Sequence, residues 1–84
     1  MKLTETQITS ANARQLLEQG LASIRAGDPL VDLSAVQRCD SSAVALMLAW
    51  KREAKERAVA LKFSGVPAAA ASLASLYGVA ELLG

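Results

Sequence analysis

The chain has 84 residues, enough for one domain around a single core, and 52% of them are apolar against 20% charged, which excludes a disordered segment. A formal net charge of +1 argues against a nucleic-acid surface, which usually needs a basic stripe. Histidine is absent and the one cysteine is Cys39, so the commonest general base, the commonest metal ligand, an internal disulfide and a cysteine-based zinc site all fall away.

Residues 1–10 are polar and lack the apolar core of a secretory leader. The apolar stretches at 43–50 and 66–77 are too short to span a bilayer. The expectation is a soluble, cytoplasmic chain with no direct membrane insertion.

In chain order, "MKLTETQI" alternates weakly and is rich in threonine, which predicts one short strand ending near Ile8. From Ser10, a plausible N-cap, Ala13, Leu16, Leu17, Leu21 and Ile24 recur at helical spacing. Gly27 and Pro29 stop that helix. Gly20 lies inside it at a cost of about 1 kcal/mol relative to alanine, which points to close approach by a neighbouring element.

"LVDLSAV" (30–36) is short, apolar and β-branched at Val31 and Val36, and reads as an interior strand. Asp32 within it is expected to accept hydrogen bonds from neighbouring backbone or side chains. A second helix opens at "CDSS" and runs to about Arg57, with Ala43, Leu46, Met47, Trp50 and Ala54 at helical spacing and Val44 and Leu48 widening the stripe. Its last turns carry Lys51, Arg52, Glu53, Lys55, Glu56 and Arg57. They read as a solvated helix end with Arg52–Glu56 and Glu53–Arg57 pairs, each contributing about 0.2–0.5 kcal/mol.

"VALKFSGV" (59–66) predicts a further strand, with Val59, Leu61 and Phe63 on one face and Lys62 and Ser64 on the other. Pro67 suits the first turn of a third helix and Gly78 suits its C′ position, followed by an apolar tail, "VAELLG". Cys39 is expected to be a buried small apolar residue, Trp50 to shield the core edge, and Tyr77 to pack on the sheet with its hydroxyl outward. Strands alternating with helices imply an α/β fold with one small, mostly parallel sheet and helices packed on it, in a single domain over 1–84.

The stretch "RCDSSAVALML" (38–48) places an acid and two hydroxyls immediately before an apolar run. Asp40, Ser41 and Ser42 all suit a helix start, so a cap explains them. In an open α/β sheet, sites also form where strands end and helices begin, and orphan N–H groups there favour an anion. A phosphate on Ser41 would gain from both, although Asp40 beside it opposes the added charge. Cap and functional serine are compatible, because a capped helix start leaves Ser41 presented outward.

"VDLSAVQRCDSSAVALML", continued by "REAKERAVALKFSGVPAAAASLASLYGVAELL", resembles the STAS domain, the family of sulfate transporters and anti-sigma factor antagonists, from about Ser10 to Leu83. The chain departs from the family pattern at Ala43, where a glycine usually follows the serines, and at its N-terminus, where a single strand stands for the usual two. Its short length and "LASLYGVAELL" ending resemble the MlaB-like members. The resemblance implies a non-enzymatic accessory subunit without cofactor or metal, peripheral to the inner membrane through its complex. Its partner would be the cytoplasmic ATPase of a Mla-type ABC phospholipid transporter.

Arg38, Asp40, Ser41, Ser42, Val44 and Ala45 are the candidate contacts. The alternative implied by the same family is an anti-sigma factor antagonist, switched by a partner kinase that phosphorylates Ser41. A shortened N-terminus could leave a sheet edge open to a homodimer.

Overall fold

The computed structural model describes residues 1–83, in the order β1 (Gln7–Ile8), α1 (Ala13–Arg25), β2 (Leu30–Asp32), β3 (Arg38–Cys39), α2 (Ser41–Glu56), β4 (Lys62–Ser64), α3 (Ala68–Leu76) and α4 (Ala80–Leu83). All strand pairing is parallel, as helical crossovers require. β1 pairs with β3 in the register Gln7–Arg38 and Ile8–Cys39, and β2 with β4 in the register Leu30–Lys62, Val31–Phe63 and Asp32–Ser64.

The expected single sheet is divided in two, and the interior strand over 30–36 is the reason. It stops at Asp32, whose carboxylate accepts from the Ser34 N–H at 2.9 Å, and Val36 N–H then donates to the Leu33 carbonyl at 3.0 Å. Those two bonds close a turn of the kind Asx residues promote. Both Leu33 and Val36 still point into the core, so the run looked continuous. The N-terminal stretch bridges the halves. Lys2 pairs with Asp32, where Leu3 N–H donates to the Asp32 carbonyl at 3.0 Å, before the same segment reaches β3 through Gln7 and Ile8.

The helices keep close to their predicted spans and differ at their ends. α1 starts after Asn12 instead of Ser10, because Asn12 Oδ1 turns back to accept the Thr9 N–H at 3.0 Å. Pro67 lies one position outside α3, as its cap residue at φ −60° and ψ 143°, where its carbonyl accepts the Ala71 N–H at 3.0 Å. The tail folds into the short α4.

Helices α1, α2 and α3 close in the same way at the C-terminus. The third residue beyond the helix returns its N–H to a carbonyl in the last turn: Asp28 to Ser23 at 3.1 Å, Val59 to Ala54 at 2.8 Å, Val79 to Ala74 at 2.9 Å. This closure needs a left-handed residue between, which is Gly27 in α1 and Gly78 in α3 but Ala58 in α2, at φ 57°. An L-residue there costs roughly 1–2 kcal/mol that glycine does not. The closure also takes Val59 out of the strand predicted over 59–66. Only 62–64 pair, with Leu61 buried, Val59 and Phe63 half-buried against the core, Lys62 exposed and Ser64 half-buried.

The core is built where α1 and α2 pack together over the sheets, from Leu3, Ile8, Leu16, Ile24, Val31, Leu33, Met47 and Trp50. Burying each such side chain contributes roughly 1.5–3 kcal/mol. Trp50 does not shield an edge: its ring is fully buried, 6.4 Å from Phe63 between centroids, and its Nε1 donates to the Leu17 carbonyl at 3.3 Å. Gly20 is what admits it. A Cβ on Gly20 would stand 2.1 Å from Trp50 Nε1, so the close approach expected at this glycine is the indole itself. Tyr77 also departs from expectation. It caps α3 and is 53% exposed instead of lying on the sheet.

Candidate functional site

The start of α2 is built by three short-range choices of the chain. β3 ends at Cys39 under a hydrogen bond from the Asp40 N–H to the Ile8 carbonyl at 3.1 Å, which fixes where the strand delivers the chain. Asp40 is then extended, at φ −107° and ψ −168°, and its Oδ1 accepts the Ser42 N–H at 2.8 Å. This satisfies one of the orphan donors of the helix start. Its other oxygen accepts the Ser10 N–H at 3.4 Å, tying the segment before α1 to the start of α2.

The electrostatics follow. The N–H and hydroxyl of Ser42, with the Ser10 N–H, hold the Asp40 carboxyl below the usual carboxylate range, so it is ionised at neutral pH. A fixed negative charge therefore already occupies the positive end of α2. Cys39 behaves in the opposite sense. Partial burial, and then the adjacent Asp40 carboxylate, push its thiol up, so it is a protonated, half-buried side chain against the core and a poor nucleophile.

Of the six candidate contacts, Arg38, Asp40, Ser41 and Ala45 are exposed and Ser42 is half-exposed. Val44 is 3% exposed, so it faces inward and offers no surface to a partner. The reason is visible in the helix: Ala43, Val44, Leu46 and Met47 form the buried stripe, and Ala45 falls between them on the open side.

Ser42 and Ala45 open onto something that helical spacing alone did not disclose. Between α1 and α2 runs an open groove of about 540 Å³, lined by Leu17, Leu46 and Ala49 and carrying the charged Arg14 and Glu18. Leu17, one of the apolar positions at helical spacing in α1, is half-buried against the core and also lines this groove. Arg14 and Glu18 are exposed, four residues apart on α1.

The surface thus combines a capped, ionised helix start, an outward serine and an apolar groove with one cation and one anion. Among the described residues no group of three or more His, Cys, Asp or Glu side chains could hold a metal ion. Among the described residues no helix is long and apolar enough to cross a membrane.

No curated protein matches the chain. The family model described as "Mlab, STAS domain" matches residues 4–84, nearly the whole length. STAS domains are generally non-enzymatic and typically act by binding protein partners, which gives this chain a STAS-type accessory or regulatory role. The parallel α/β architecture, the hydroxyl-bearing start of α2 and the match over 4–84 agree: the chain belongs to the STAS domain family, among its MlaB-like members.

Proposed function

We propose that the chain is a non-enzymatic accessory subunit of a Mla-type ABC phospholipid transporter, held at the cytoplasmic face of the inner membrane by binding the transporter's ATPase. The contact is the start of α2: Arg38, Asp40, Ser41, Ser42 and Ala45, extended by the groove against α1. The observation that carries this reading is the outward Ser41 beside an Asp40 already engaged by the Ser42 and Ser10 N–H groups. A small neutral hydroxyl at that place suits a packed protein interface, whereas a phosphate would enter beside a fixed carboxylate.

The alternative, an anti-sigma factor antagonist phosphorylated on Ser41, draws on the same exposed hydroxyl, and Asp40 weighs against it. Titration of the purified chain against a purified Mla-type ATPase subunit tests the proposal. Ser41→Glu should weaken binding by about tenfold or more, since a like or unpaired charge in an interface costs several kcal/mol. Unchanged affinity of Ser41→Glu would overturn it. Phosphate incorporation at Ser41 on incubation with an anti-sigma kinase and ATP would transfer the assignment to the alternative.

A further inference from the structure

The groove beside Ser42 has a direction. Helices α1 and α2 run side by side in the same sense: the Ser10 N–H meets Asp40, the Leu17 carbonyl meets Trp50, and Arg25 meets Glu53. They come closest where Gly20 leaves room for the Trp50 ring, and before that point the groove opens between them. Its walls run from Ala13 to Glu18 on α1 and from Ser42 to Ala49 on α2, about 10 Å of helix on the longer side.

Arg14 and Glu18 stand on the α1 wall, one turn apart and both exposed. Among the described residues neither forms an ion pair, with the other or elsewhere. The order of the two residues accounts for this. On a helix, a pair four apart is stronger with the acid first, and here the cation comes first. Helix α2 shows both cases. The acid-first pair Glu53–Arg57 closes at 2.7 Å, whereas the expected cation-first pair Arg52–Glu56 does not form among the described residues.

Resting on the reading that the start of α2 binds a Mla-type ATPase, we infer that the ATPase fills this groove with one amphipathic helix bearing a carboxylate and a cation one turn apart. The apolar side of that helix seats on Leu17, Leu46 and Ala49, its carboxylate meets Arg14, and its cation meets Glu18. Charge sets the occupant, because both signs stand ready on one wall at the spacing of a helical turn. An anionic lipid surface or a nucleic acid would satisfy Arg14 and be repelled by Glu18. The walls set its conformation. Two helices offer no backbone donors or acceptors along their sides, so an extended segment would bury its own N–H and C=O groups unpaired. A helix satisfies those groups internally.

Titration of the full chain against a purified Mla-type ATPase subunit tests this, with hydrogen exchange of the complex locating the contact on the ATPase. Protection should fall on one helix that carries opposite charges four residues apart. Arg14→Glu and Glu18→Arg should each weaken binding about tenfold, since each brings like charges together. Reversing the facing charge on the protected helix should restore binding of the matching variant and not of the other. Ala49→Leu, which fills the groove without altering charge, should also weaken binding. Arg14 and Glu18 are exposed, so circular dichroism of their variants should match the parent. If Ser41→Glu weakens binding while the three groove variants leave it unchanged, the inference is overturned and the ATPase contact stands. Protection confined to a loop or strand, or reversal without rescue, would also overturn it. So would retention of the chain on phosphatidylethanolamine vesicles through Arg14 and Glu18 while ATPase affinity ignores both. Absence of ATPase binding by the parent would overturn the inference and the ATPase contact together.

Discussion

The two ends of α2 solve the same problem with opposite means. At the first turn, orphan N–H groups meet a side chain made for them: Asp40 accepts from Ser42 and reaches Ser10 as well. At the last turn, the closure is made by the backbone through an alanine in a left-handed conformation, and nearby cations face solvent. The first end is preorganised and already carries its counter-charge. The second is strained and depends on backbone geometry. One helix in a small domain can therefore end by two different kinds of chemistry.

The largest expected effect belongs to neither end but to the middle they share. Gly20→Ala places a methyl group in the Trp50 ring and should destabilise the chain by about 1–3 kcal/mol, the usual range for overpacking. The gain in helix propensity, about 1 kcal/mol, acts against this and does not cancel it. Urea denaturation followed by circular dichroism would measure it, and a variant as stable as the parent would show that α1 and α2 are not held at the indole.

Next in size is the capped end. Asp40→Ala should lower the denaturation midpoint, and Asp40→Asn, which keeps an acceptor, should lower it less. The dependence on pH has a definite sign. The folded carboxyl is held below its unfolded value, so its contribution is complete above the unfolded pKa and is lost as pH falls through the folded one. Asp28 behaves alike and more strongly: the N-terminal ammonium group, the Leu30 N–H and the Ser23 hydroxyl lower it to about 2. The parent should lose stability from about pH 4 toward pH 2, and the loss should be shallower in Asp40→Ala and in Asp28→Asn. Parallel acid titration curves for parent and variants would remove both carboxylates from this account.

The smallest effect is the most diagnostic of the strained end. Ala58→Gly should stabilise by up to about 1 kcal/mol, because the relief of left-handed strain exceeds the entropy that glycine adds to the unfolded chain. The same measurement on Gly78→Ala should go the other way, which makes the pair its own control.

Much of this was legible in the sequence, for reasons that particular residues show. α2 was readable because Asp40 caps it and Leu46, Met47 and Trp50 keep a helical period. The hydroxyls of its first turn were readable for the same reason. The break at Asp32 was not, since Val31, Leu33 and Val36 are all buried and an apolar run does not show where its hydrogen bonds change partner. Neither the groove at Leu17 nor the exposure of Leu82 was legible. Both depend on how far one helix stands from another, and periodicity carries no distance.

The indole between α1 and α2 has one more consequence. Trp50 is the sole tryptophan of the chain, and it is fully enclosed by the contact that joins the two helices. Its emission therefore reports a single event, the separation of α1 from α2, with no background from other indoles. Because Leu17, whose carbonyl accepts the indole N–H, also lines the groove beside Ser42, the same optical signal is placed to register a partner settling there.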